Sequence, residues 1–208
     1  MTTAIRDISR RRIRPSLLLC GLAALIVAAL LQGAAASAAP GQTAVVRPDP
    51  LVAAVPVGGQ VVVNIYIQDV QNLYGADIRF SYDPAVLEVQ DADPAVSGVQ
   101  FQPLSTFLKP DYVARNKACN VVDPSDPACP LAGILRYAVT QVNPSTPASG
   151  SGALAAITFK RLRPDVTTLT VTTHELSDRN GVTIPSTVQS GRVDLAVMRK
   201  LYLPLIVR

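Results

Sequence analysis

The chain has no tryptophan, one histidine and only 4 phenylalanines in 208 residues. With so few aromatics the core has to be aliphatic. A sugar-stacking platform, which needs exposed rings, has only Tyr66, Tyr74 and Tyr112 to draw on. The lone His174, in TTHEL, reads as a half-exposed sheet residue rather than a general base or metal ligand beside Glu175. No G-x-S-x-G elbow presents a nucleophilic serine, and no cysteine has a base partner. No segment sustains a helical period. These absences point away from catalysis.

What is present begins with a targeting signature. Arg6, Arg10, Arg11, Arg12 and Arg14 form a basic start, residues 17–31 an apolar run, and Ala36-Ser37-Ala38 a small-residue cleavage site. Residues 1–39 therefore read as a signal peptide for export, with an uncleaved anchor as the alternative; the run is short for a span of roughly 20 residues. Of 19 Lys and Arg, five precede Pro40, and of 15 Asp and Glu only Asp7 does, which leaves 14 of each beyond it. The net charge of +4 thus belongs to the leader, and the mature chain offers no basic surface excess for nucleic acid or an anionic membrane.

Residues 40–198 are long enough for one domain with a substantial core. Strand signals recur along them. Val61, Val63, Ile65 and Ile67 alternate with Val62, Asn64, Tyr66 and Gln68, and Ala76, Ile78, Phe80 and Tyr82 alternate with Asp77, Arg79, Ser81 and Asp83. Further strands are expected at 43–47, 86–90, weakly at 99–101, and at 134–141, 153–160, 167–173, 183–186 and 191–197. Residues 91–132, rich in Pro, Asp and Ser, read as a long excursion with one or two short strands. NPSTPASGSG, 143–152, has a tether's composition but reads as an internal loop. Asn180-Gly181 marks a tight turn. Eight or nine short strands with turns between them predict an all-β, antiparallel sandwich.

Cys119 and Cys129 bracket NVVDPSDPA, whose two Asp-Pro steps bend the loop, and export favours a disulfide between them over free thiols. The acids mostly precede proline, at Asp49, Asp83, Asp93, Asp123 and Asp126, where a carboxylate caps its own turn. That use leaves no facing carboxylate pair for glycoside hydrolysis. A weak loop calcium site from Asp91, Asp93, Asp123 and Asp126 stays open, whereas Asp178, Asn180 and Gly181 are only a fragment of a twelve-residue calcium loop. No resident metal or cofactor is expected. Residues 199–208 end in LYLPLIVR, too short to span a bilayer, read as an edge strand or packed tail with a terminal recognition signal as the alternative.

Residues 72–89, NLYGADIRFSYDPAVLEV, resemble the F-x-Y-D-P-x-V-L-E-V strand pair of the cohesin modules of cellulosome scaffolds. Gly152 to Phe159 is similar to that family's G-x-L-A-x-I-x-F strand, and Gly191-Arg192-Val193 to its closing G-x-V strand. The resemblance covers roughly 43–197. It implies a nine-stranded jelly-roll sandwich and a secreted or cell-surface module that is not an enzyme. The implied partner is a calcium-loaded dockerin-type domain, in a complex linked to polysaccharide degradation. By position, Asp77 matches the acidic residue that accepts hydrogen bonds from the partner, Arg79 is the next outward residue, and Arg136, Ala138 and Thr140 share the surface. A polysaccharide-binding module and an adhesive surface protein are the competing readings.

Overall fold

The computed structural model describes residues 43–194. The expected leader and tail lie outside the described residues. Twelve strands run in order: β1 (Ala44–Asp49), β2 (Val52–Ala54), β3 (Gln60–Leu73), β4 (Gly75–Ser81), β5 (Leu87–Val89), β6 (Gln102–Pro103), β7 (Tyr112–Cys119), β8 (Ile134–Thr140), β9 (Ala148–Arg161), β10 (Thr167–Ser177), β11 (Ser186–Val188) and β12 (Gly191–Asp194). They form two facing sheets. One has the order β11-β1-β3-β9-β5 with β6 also on β9; the other has β2-β12-β10-β4-β8-β7.

The all-β sandwich is as expected, with two differences. There are twelve strands rather than about nine: β2, three residues long, is too short to show an alternation, and β7 lies in the stretch read as an excursion. The sheets are also mixed: β1 runs parallel to β11 and β2 parallel to β12, while the other pairs are antiparallel.

The alternations hold. Val63, Ile65 and Ile67 are buried on β3, and Ala76, Ile78, Phe80 and Tyr82 on and beyond β4. With Leu135, Tyr137, Leu154, Ile157, Phe159 and Val193 they fill the space between the sheets. Each fully buried aliphatic side chain contributes roughly 1.5–3 kcal/mol. The few aromatics meet edge to face: Tyr82 with Phe159 at 5.4 Å and Phe101 with Tyr137 at 5.6 Å.

Half of the apparent tether is strand. β9 starts at Ala148, and its serines mend the ladder where β3 bulges: the Asp69 amide donates to Ser151 Oγ and the Asn72 amide to Ser149 Oγ, both at 2.9 Å. Asp69 and Asn72 have φ near 57° and 54°, a left-handed conformation that Asp and Asn tolerate best among residues with a Cβ. Gly152 is required by contact, since a Cβ there would sit 2.4 Å from the Phe107 ring.

The 91–132 excursion contains an eight-residue edge strand, β7, more than the short pieces expected. Two asparagines, one in β7 and one just after it, tie the sheets together. Asn116 pairs with the Phe101 backbone, accepting from its N–H at 3.1 Å and donating to its carbonyl at 2.6 Å. Asn120 does the same with Val89 at 2.8 and 2.9 Å, and also accepts from the Tyr82 hydroxyl at 2.7 Å. Each carboxamide thus stands in for one residue of a strand.

Candidate docking face

Register decides which side chains share the outer surface of the β10-β4-β8-β7 sheet. Glu175, Asp77, Ala138 and Arg115 lie in one cross-strand row, and Thr173, Arg79, Arg136 and Lys117 in the next. Ser177, Gly75, Thr140 and Tyr112 form a third. These positions alternate with the buried stripe of β4 and β8, so period-two geometry turns them away from the core. The five residues expected from sequence, Asp77, Arg79, Arg136, Ala138 and Thr140, therefore come together on two adjacent strands.

Their individual states differ. Arg136 donates from Nε to Asp77 Oδ1 at 2.8 Å and from Nη2 to Asp77 Oδ2, a two-pronged ion pair that raises the Arg136 pKa above its ordinary value. Asp77 is thus already an acceptor within its own sheet. Arg79 is exposed, with no side-chain partner among the described residues. Ala138 is only 8% exposed and forms the low point between Asp77 and Arg115. The Thr140 hydroxyl turns to the backbone, 3.0 Å from the Gln141 carbonyl.

A shallow hollow of about 630 Å³ runs along this end of the face, lined by Asp77, Tyr112, Ala138, Thr140, Glu175 and Thr183. Tyr112, 60% exposed, stands at its rim. Next to Tyr112, Asp111 holds the loop after β8, accepting from the Val142 amide at 2.9 Å and from the Ser145 hydroxyl. These bonds, with Lys109 leading, hold its carboxyl at about 2, below the ordinary 3.8. Glu175, Arg115 and Lys117 were not expected on this face from sequence, and Tyr112 was considered only as a sugar-stacking ring; for the last three the missing signal was β7 itself.

A family model for the cohesin domain matches residues 50–194. The chain belongs to the cohesin family. No curated protein matches it. Among solved structures, a non-cellulosomal cohesin from Archaeoglobus fulgidus is similar at 16% identity and TM-score 0.56, over 76% of this chain and 94% of that one. A type II cohesin domain from the cellulosome of Acetivibrio cellulolyticus is similar at 19% identity and TM-score 0.55, over 74% and 96%. A type I cohesin–dockerin complex from Clostridium thermocellum is similar at 13% identity and TM-score 0.53, over 73% and 90%.

The remaining candidates in this cohesin domain are structural. Cys119 and Cys129 are joined in a disulfide with Cα atoms 5.4 Å apart, both cysteines buried. Asp83, Asp93, Asp123 and Asp126 each accept from the amide two residues on, at 2.8–3.2 Å, which is the turn-capping use read from the Asp-Pro steps. No group of three or more His, Cys, Asp or Glu is placed to hold a metal among the described residues, and no described helix could cross a membrane. His174 points inward beside Ile78, its Nδ1 3.0 Å from Ser186 Oγ, and so links β10 to β11 across the sandwich. Of the three tyrosines considered for sugar stacking, two are partly covered, with Arg47 4.6 Å over the Tyr66 ring and Arg179 5.2 Å over Tyr74, while Tyr112 stays exposed.

Proposed function

We propose that this domain is a non-catalytic docking module, exported to the cell exterior, whose β10-β4-β8-β7 face receives a dockerin-type domain carrying its own calcium. One observation carries the reading: Asp77, Arg79, Arg136, Ala138 and Thr140 form one outward polar surface beside a shallow hollow, held by a rigid core stripe beneath it. Membership of the cohesin family supports it, as does the fold's likeness to a cohesin solved with a dockerin. The role is recognition within an extracellular or surface assembly, with polysaccharide breakdown as its setting. A glycan-binding role is disfavoured by the arginines that cover Tyr66 and Tyr74.

Calorimetry of the secreted chain against a panel of calcium-loaded dockerin-type domains tests the proposal. A saturable complex is expected that chelator abolishes without unfolding this protein. Asp77→Ala is expected to weaken it at least several-fold, since losing a buried interface acceptor costs about 1–3 kcal/mol. Retention on a polysaccharide column, sensitive to Tyr66 or Tyr74 substitution and indifferent to Asp77, would overturn the docking reading.

A further inference from the structure

At the far end of the same face, like charges are stacked side by side. Arg79, Arg136 and Lys117 sit directly opposite one another on β4, β8 and β7. Such neighbours repel and destabilise the pairing unless acids offset them. Two are offset: Arg136 by Asp77, and Lys117 by Asp126 at 2.7 Å. Arg79 has no counter-ion among the described residues, and Arg115, the next outward residue along β7, forms no ion pair there and only adds to the positive field at Asp126, which Lys117 holds. Both are exposed.

These four cations surround a hollow of about 310 Å³ whose only lining acid, Asp126, is already taken by Lys117. Its other wall is apolar, built by Ala128 of the disulfide loop and Pro130 just after it, with Ile134 of β8. The loop that forms this wall is closed by Cys119–Cys129 and by the Cys129 amide donating to the Asp126 carbonyl at 2.9 Å. The hollow is therefore preformed, positive and half greasy.

We propose that this hollow is an anion subsite that takes an aspartate or glutamate side chain of the docked protein partner, presented beside an apolar residue. The assignment rests on the docking reading above and adds the chemistry its partner must carry. Two exposed guanidiniums without ion pairs of their own, over an apolar wall, suit a carboxylate on a short hydrocarbon stem, and forked arginine donors match a carboxylate's two oxygens. A nucleic acid would call for a basic stripe following a backbone; here the cations form one cluster on a mature chain with equal numbers of acids and bases.

The test needs no identified partner. The isotope-labelled mature chain is titrated by NMR with a capped peptide of alternating leucine and glutamate, and with its glutamine counterpart. The acidic peptide is expected to shift the amides of Arg79, Arg115 and Ala128 saturably, more weakly as salt rises, and at least five-fold more tightly than the glutamine peptide. Arg79→Gln with Arg115→Gln should remove that preference while Tm stays put. Equal binding of both peptides, tighter binding of a single-stranded oligonucleotide, or an unaltered preference in the double variant would each overturn the subsite. A dockerin-type partner that binds the double variant as well as the parent defeats the subsite alone. An acidic-peptide response without any dockerin binding defeats the docking reading alone.

Discussion

Arg136 grips Asp77 across β8 and β4 although the two are not opposite one another: Arg136 faces Arg79 in the ladder, and Asp77 faces Ala138. The pair is diagonal, with side chains 37% and 23% exposed. Solvent screening keeps its stability contribution to about 0.5–1 kcal/mol. Asp77→Ala and Arg136→Ala are each expected to lower urea stability by about that much, and the double variant by little more. Strictly additive losses would mean that the pair is not formed in solution.

The Cys119–Cys129 bridge closes a short loop, with a sequence separation of 10. Constraining so short a loop is worth roughly 2–3 kcal/mol. Prepared without reductant, the protein is expected to gain two hydrogens in mass on reduction and to resist alkylation beforehand. Cys119→Ser with Cys129→Ser should lower the unfolding midpoint without altering the β-sheet spectrum. Ready alkylation of both thiols in the untreated protein would contradict the bridge.

Arg161 is completely buried and yet makes no ion pair with a carboxylate among the described residues. Its guanidinium donates to three carbonyls, those of Arg163 at 2.7 Å, Asp165 at 2.5 Å and Val55 at 3.4 Å. Arg161→Met would leave the buried Val55 carbonyl without a donor and the two loop carbonyls to water, a loss of about 1–3 kcal/mol. Arg161→Lys should recover little of it, because an ammonium cannot fan out to three separate oxygens. Urea melts of both variants check this, and a fully rescued lysine variant would contradict it.

Tyr82 and Tyr137 should respond oppositely to loss of the hydroxyl. The Tyr82 hydroxyl donates to Asn120 Oδ1, whereas the buried Tyr137 hydroxyl has no hydrogen-bond partner among the described residues. Tyr82→Phe is expected to cost about 1 kcal/mol, and Tyr137→Phe to be neutral or stabilising. Burial pushes both phenols up, Tyr137 to about 12 from the ordinary 10.0, and the Glu88 charge adds to the rise at Tyr82. A raised folded-state pKa means that stability is whole below pH 10 and drains as pH climbs from 10 towards 12. Denaturant midpoints measured across that window should fall, and less steeply in Tyr137→Phe.

Where the alternation was strong, as from Ala76 to Tyr82, both the strand and its outward residues were legible, and the five face residues followed from it and from the family likeness. β7 was not legible because its inward contacts are made by Asn116 as well as by apolar side chains, and its register slips between Val113 and Arg115. Missing β7 hid Arg115 and Lys117, and with them the positive hollow. The serine-rich run before Leu154 misled for a related reason: Ser149 and Ser151 serve the neighbouring backbone, a use that composition alone reports as a loop.

The two parallel pairings at the sheet edges have a mechanical meaning. β1 lies alongside β11, and β2 alongside β12, so the first and last described strands each have a neighbour pointing the same way. Tension drawn from residue 43 and residue 194 runs along β1 and β12 rather than across them. Their ladder hydrogen bonds then share the load together instead of parting one after another. Stretched between handles at those positions, the domain is expected to yield in a single abrupt event at high force, and a staircase of small low-force steps would contradict this geometry.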